Sequence, residues 1–280
     1  MYLITKKQKL AENIYLMEIE APKIVKKAHP GHFIILRIDE KGERIPLTIA
    51  DYDKKTLTIV FLVVGETTEQ LSQLRKGDHL LDVVGPLGNK SEIDKISNKN
   101  EIGNFGTVCM IGGGLGIAPI YPIARALKRK KNKIITIIGA RSKEFLFWED
   151  RLKKVSDKVI VCTDNGTKGK KGFVTSALVE LMENEYINRV IVIGPPIMMK
   201  NVSNITRDRI RTVASLNPIM VDGMGMCGGC RVVIDDNVQF ACCDGPEFNA
   251  HKVDWDEMIN RNKAYMEEEE SCKVDNCKKN

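Results

Sequence analysis

No apolar stretch in these 280 residues approaches the ~20 needed to span a bilayer, and the basic N-terminus, Met1–Ala11, lacks the apolar segment of a secretory leader. The chain is therefore expected to stay in the cytoplasm, with no membrane part. Aromatics are scarce, at 6%, so the formal net charge of +6 has no interleaved stacking residues, and no nucleic-acid partner is expected. The densest basic run, Lys128–Lys131, suits a solvated helix end. There is no internal repeat, and the glycine turn Gly112–Pro119 does not match G-x-G-x-x-G, which leaves room for a nucleotide site of another form.

What is present is a hydrophobic content of 43%, enough for several modest cores, and eight unevenly placed cysteines. Cys109 and Cys162 lie in apolar runs, where a free thiol packs as a small hydrophobe. Cys272 and Cys277 sit in a polar tail. The other four, Cys227, Cys230, Cys242 and Cys243, crowd into one short segment, a density that in a reducing compartment points to a metal rather than to disulfides.

Short β-branched runs at Ile14–Ile19, Phe33–Arg37, Leu47–Ala50, Leu57–Val64 and Leu80–Val84 predict a small antiparallel barrel over residues 1–98. The polar stretch Asn89–Asn104 reads as a connector. Strands and helices then alternate over residues 104–215, predicting a parallel sheet covered on both faces. A Cys-rich lobe, 216–253, and a C-terminal helix and tail, 254–280, complete the expected organisation, with the helix over Asp254–Glu270 read as a solvated cap.

Four motifs carry chemistry. Asp222, Cys227 and Cys230 reproduce the Cys-x4-Cys-x2-Cys spacing of plant-type [2Fe-2S] sites with Asp in the first place, and Cys242 follows as the distant fourth ligand. Gly223, Gly225, Gly228 and Gly229 give the backbone freedom to close around a cluster; three thiolates and a fourth ligand also suit zinc. Cys243 is expected to face away from Cys242, as neighbours do on an extended strand. Gly112, Gly113, Gly114 and Gly116 separate an apolar strand from a helix that carries Ala118 and Pro119 in its first turn, a junction where a pyrophosphate reaches backbone N–H groups. Arg44, Pro46, Leu47 and Thr48 offer a guanidinium and a hydroxyl to a flavin nucleotide. Val63, Val64, Gly65, Thr67 and Thr68 open a helix, with Thr67 and Gln70 at capping-box spacing.

Taken in order with Gly194-Pro195, these motifs resemble the ferredoxin–NADP reductase superfamily. The Cys-rich extension is similar to the electron-transfer subunit of dihydroorotate dehydrogenase. Arg44–Asp51, Val84–Gly88, Ser215–Cys230 and Asp244–Phe248 are similar to the small subunits of NADH-dependent ferredoxin:NADP oxidoreductases, also described as sulfide dehydrogenase subunits. The likeness spans Leu3 to Trp255. It implies FAD on Pro46, Leu47, Thr48, Leu62–Gly65, Thr67 and Thr68, and NAD(H) on the glycine turn, Gly194, Pro195 and Met198, with Asp164 beside it. Arg141, after the second strand of the α/β lobe, is a further candidate for the nucleotide. The same likeness implies Asp222 as a cluster ligand, a larger flavoprotein iron–sulfur partner subunit, and ferredoxin reached through that partner.

Two features depart from the superfamily pattern: Arg44 stands four positions before Thr48 with Leu47 where an aromatic is usual, and Ile193 replaces Cys before Gly194. An extra residue on a strand turns a side chain to the opposite face, which bears on Arg44. Two alternatives remain open on sequence alone, an electron-transfer subunit for a dihydroorotate dehydrogenase and a zinc-containing nucleotide sensor without catalysis.

Overall fold

Alternation along the strands decides which side chains enter each core. In the computed structural model, which describes residues 1–96 and 102–265, the N-terminal lobe is built from β1 (Tyr2–Ala11), β2 (Ile14–Glu20), β3 (Phe33–Arg37), β4 (Ile45–Thr48), β5 (Asp51–Tyr52), β6 (Thr56–Leu62), β7 (His79–Leu80) and β8 (Asp82–Leu87). They form two antiparallel sheets, ordered β5-β6-β2-β1-β7 and β4-β3-β8. On β2 and β6, Met17, Ile19, Leu57, Ile59 and Phe61 fill the interior between the sheets, while Ile14, Leu16 and Val60 pack on the next lobe. Burial on both faces is why β6 is apolar without a break from Ile59 to Leu62.

A short helix, α1 (Pro22–Val25), adds Ile24 and Val25 to the barrel core. The second, α2 (Glu66–Gln73), is capped differently from expectation: Thr68 Oγ1 accepts the N–H groups of Val64 and Gly65 at 3.0 and 3.1 Å. Thr67 does not cap; its hydroxyl donates to the Glu43 carboxylate at 2.8 Å. The connector is also more than a spacer. Besides the small pair β9 (Lys95–Ile96) and β10 (Ile102–Gly103), it carries Ser91, which is buried and donates to the carboxylate of Glu247. Burial raises the Glu247 carboxyl above its ordinary pKa, opposed by that hydrogen bond and by Arg189.

The second lobe runs β11 (Thr107–Gly113), α3 (Ile117–Arg129), β12 (Lys133–Ala140), α4 (Glu149–Lys153), β13 (Lys158–Thr163), β14 (Lys170–Lys171), α5 (Val174–Asn184), β15 (Arg189–Ile193), α6 (Pro196–Thr206) and β16 (Arg211–Ser215). Its six strands are ordered β14-β13-β12-β11-β15-β16 and run parallel to one another. The chain moves outward from β11 to β12 and later returns to β15 on the other side, so a crevice opens between the ends of β11 and β15. Cys109 and Cys162 are buried as expected, and burial pushes the Cys109 thiol up to about 12.

The last lobe is a hairpin, β17 (Arg231–Ile234) and β18 (Asn237–Phe240), joined by Asp235 and Asp236 at φ 54° and 63°, the positive pair a tight two-residue hairpin requires. It is followed by β19 (Glu247–Asn249), which adds antiparallel to β16, and by α7 (Trp255–Arg261). The terminal helix is shorter at its described end than Asp254–Glu270, and it is no solvated cap: Trp255 and Met258 are buried, and Asp254 caps it by accepting from the Glu257 N–H at 3.0 Å. Positions 266–280, with Cys272 and Cys277, lie outside the described residues.

One carboxylate adds ion pairs to the apolar packing between barrel and α/β lobe. Asp51 meets Arg125 at 2.7 Å and Arg151 at 2.5 Å, and the Arg151 guanidinium lies 4.6 and 4.3 Å from the ring centres of Tyr121 and Trp148. The Asp51 side chain is only 13% exposed, so both pairs are partly shielded from water. Asp51→Ala should lower unfolding free energy by about 2 kcal/mol, less than a fully buried pair would cost because both guanidiniums keep some solvent. Urea unfolding at low ionic strength is the check.

Candidate redox site

Three groups of residues that are far apart in sequence converge where the lobes meet. The first is the crevice at the ends of β11 and β15. Gly114 turns the chain at φ 54°, and Gly116 lies so close to β15 that a Cβ there would collide with the Ile193 carbonyl. A Cβ on Gly113 would collide with the Met198 sulfur, and one on Gly194 would stand 2.6 Å from the Met198 methyl. Gly113, Gly114, Gly116, Gly194, Pro195 and Met198 are thus brought to one place. Ala118 has its side chain buried in the core, so only its backbone faces the turn, while Pro119 occupies the third position of α3. Arg141 and Asp164 begin the loops after β12 and β13, which are tied by N–H groups of Asp164 and Asn165 donating to the carbonyls of Ala140 and Arg141 at 3.1 and 3.3 Å.

The second group lies on the barrel. Pro46, Leu47 and Thr48 form most of β4, all half-buried, whereas Arg44 precedes the strand and is exposed. Leu62 ends β6 and packs in the same apolar cluster as Leu115 of the glycine turn. Val63 and Gly65 are half-buried and Val64 is open to solvent at the start of α2, beside Thr67 and Thr68. Glu43, bonded to Thr67, is a neighbour that no motif signalled.

The third is the Cys-rich loop. Gly223, at φ 71°, lets the loop lie on the barrel: a Cβ there would stand 2.7 Å from Ile35 and 3.0 Å from Leu87. Ile35 pairs with Pro46 across β3 and β4, so the loop abuts the strand next to the flavin motif. Asp222 accepts the N–H groups of Met224, Met226 and Cys227 at 2.7, 3.0 and 2.5 Å, which hold its carboxyl below the usual range. Cys227 Sγ accepts from the Gly229 N–H and Cys230 Sγ from the Cys242 N–H, both at 3.4 Å.

Amide donors aimed at thiol sulfurs, glycines at positive φ and a carboxylate on the same loop are the chemistry of an iron–sulfur centre, although among the described residues no three His, Cys, Asp or Glu side chains are already grouped as around a metal ion. Burial raises the Cys242 thiol, and the neighbouring sulfurs of Cys230 and Cys243 raise it further, so a bound cation is what would make it a thiolate. The expectation that Cys243 faces away from Cys242 fails. The chain turns after Phe240 instead of staying extended, and the two sulfurs lie 3.6 Å apart. Two further contacts were out of reach of any motif: Arg261 Nη2 donates to the Gly229 carbonyl at 3.1 Å, and Asn89 Nδ2 donates to the Cys243 carbonyl at 2.9 Å.

Residues 217–254 match the model of the iron–sulfur cluster binding domain of dihydroorotate dehydrogenase B, and residues 110–204 match the oxidoreductase NAD-binding domain. A Thermotoga maritima protein described as a dihydroorotate dehydrogenase B (NAD(+)) electron transfer subunit homolog is 47% identical over 269 residues, covering 95% of this chain and 92% of its own length. The chain belongs to that electron-transfer subunit family. The corresponding subunit of Desulforamulus reducens is 32% identical over 257 residues, 88% of this chain and 95% of that one. Among solved structures, one of an NADH-dependent reduced ferredoxin-NADP oxidoreductase, described for flavin-based electron bifurcation, aligns with a TM-score of 0.90 at 45% identity, covering 98% of this chain and 97% of that chain. Phthalate dioxygenase reductase aligns at 0.60 with 15% identity over 86% and 92% of the two chains, which speaks to the fold alone. Family membership makes this an oxidoreductase electron-transfer subunit with an NAD-binding domain and an iron–sulfur cluster binding domain. Among the described residues no helix is long and apolar enough to cross a membrane.

Proposed function

We propose that the chain takes electrons from NADH and delivers them, one at a time, to a larger flavoprotein iron–sulfur subunit of the ferredoxin:NADP oxidoreductase type. The observation that carries this reading is the convergence of three sites: Leu62 on the glycine turn, and Ile35 between Pro46 and Gly223. Gly113, Gly114 and Gly116 would hold the nicotinamide nucleotide's pyrophosphate at the start of α3, with Gly194, Pro195 and Met198 shaping the nicotinamide side and Arg141 and Asp164 on the adenosine side. Pro46, Leu47, Thr48, Leu62–Gly65, Thr67 and Thr68 would hold FAD, and Asp222, Cys227, Cys230 and Cys242 the cluster. When bound, flavin would accept one hydride, two electrons together, and the cluster would carry them singly. No side-chain acid or base is needed, because direct transfer asks the protein only for alignment and dryness.

Stopped-flow mixing tests the entry: NADH should bleach the flavin much faster than NADPH, and the reverse order would overturn the nucleotide assignment. Purification from native extract tests the exit. A co-purifying flavoprotein with iron–sulfur motifs supports the reading, whereas a dihydroorotate dehydrogenase catalytic subunit would favour the second reading, to which the cluster-domain match points. A carboxylate is a harder ligand than a thiolate, so Asp222→Cys should keep the cluster but shift its midpoint potential. An unchanged midpoint would count against Asp222 as a ligand.

A further inference from the structure

Cys243 has no place in the four-ligand set, yet the fold holds its sulfur against that set. The turn after β18 is fixed by the Cys243 and Asp244 N–H groups, which donate to the Phe240 carbonyl at 2.9 and 2.7 Å, and by the Asp244 carboxylate, which accepts the Phe240 N–H at 2.7 Å. From the barrel, Asn89 clamps the far side: its side chain donates to the Cys243 carbonyl at 2.9 Å and its own N–H to the Gly245 carbonyl at 2.7 Å. The Cys243 sulfur then sits 3.6 Å from that of Cys242, within reach of a sulfur hydrogen bond. Gly225 makes room for it, since a Cβ there would stand 2.6 Å from the Cys243 sulfur.

A ligating thiolate carries no proton. Of the two sulfurs, only Cys243 could then be the donor. We propose that Cys243 is a positioning residue for the electron carrier: its S–H donates to the sulfur of Cys242 and raises the cluster's reduction potential. The sign follows from charge. Reduction adds an electron to the cluster, much of whose negative charge rests on sulfur, so a donor to sulfur favours the reduced form. This rests on the reading of Cys242 as a cluster ligand, and the measurements separate the two ideas.

Cys243→Ala, Cys243→Val and Cys243→Ser are prepared anaerobically in the full chain with its flavin, and each is assayed for iron, acid-labile sulfide and midpoint potential. The alanine and valine variants should keep full iron and sulfide, with the one-electron reduction equilibrium shifted about threefold toward oxidised, or ~30 mV. Serine, which donates through O–H, should restore or exceed the wild-type potential. A midpoint unchanged in both apolar variants overturns the proposal. Loss of iron in both with retention in serine also overturns it, because Cys243 would then be a ligand. As an independent readout, the deuteron couplings of the reduced wild-type cluster in D2O should include one that Cys243→Val lacks, beside those of the Gly229 and Cys242 amides that remain, and identical coupling spectra in the two proteins would count against the donor role. Iron missing from the wild-type protein would instead defeat the cluster reading itself.

Discussion

Gly116→Ala is expected to slow flavin reduction by NADH about 100-fold while leaving flavin and iron bound, because displacing a nucleotide platform by a fraction of an ångström to 1 Å is enough to misalign the reacting atoms. Backbone conformation is not the obstacle, since Gly116 adopts φ −58°, which alanine accepts. Space is the obstacle: the new methyl would meet the carbonyl of Ile193, and neither partner is a side chain that could swing aside. The turn must therefore move away from β15 and widen the crevice, at a stability cost of about 1–3 kcal/mol. Gly114→Ala provides the contrast. Its Cβ would point into open space, but at φ 54° alanine pays roughly 1–2 kcal/mol, so stability should fall while the spacing between β11 and β15 is kept. Anaerobic stopped-flow traces read beside thermal unfolding separate the two effects. Normal NADH reduction in Gly116→Ala, with stability lowered, would show that the crevice is not where the nucleotide binds.

The α/β lobe was legible because its strands are buried on both faces. Val190–Ile193 reads as a continuous apolar run for that reason, as does Ile134–Ile138 but for the buried Thr136, and the helices between them carry clear stripes. β1 escaped notice because, of its ten residues, only Ile4 is buried; its Lys-rich face gives no periodic signal. α6 begins at the second proline of Gly194-Pro195-Pro196, a cluster that reads as a loop although proline is at home in a first helical turn. The cysteine spacing disclosed the cluster loop, but spacing says nothing about direction. Cys243 was misplaced because the turn after Phe240 replaces a strand whose alternation had been assumed. Asn89 and Arg261 touch the loop from 154 and 32 residues away along the chain, and only folding brings them there.

Cys230 is where cluster and fold depend on each other most. It is 2% exposed and belongs to one core with Val232, Ile234 and Ala241, which continues into Phe33 and Ile35 of the barrel. The lobe it anchors has only two strands of four residues each, too little to be stable by itself. Metal binding in so small a unit is also folding energy, since the ligands are gathered by the ion that they hold. Cys230→Ala should therefore remove iron and sulfide almost completely, to below about 10% of the wild-type content, and loosen the loop from 222 to 230 to proteolysis. The barrel keeps a second core around Met17, Ile59 and Phe61, and the α/β lobe a second one around Met110, Ile120 and Ile138, neither with a residue of the cluster lobe, so FAD should stay bound and NADH should still bleach it. Electrons would then have no way out: reduction of the partner subunit should fall by about 100-fold or more, the loss expected when a ligand rather than a neighbour of a metal is deleted. Cys227→Ala, at an exposed position, should lose the cluster equally but cost the lobe less, because no core contact goes with it. If Cys230→Ala retained its iron, the cysteines would be packing residues and the cluster would have to lie elsewhere. If it lost iron yet passed electrons at the wild-type rate, the flavin itself would face the partner, and the convergence of the three sites would have another purpose.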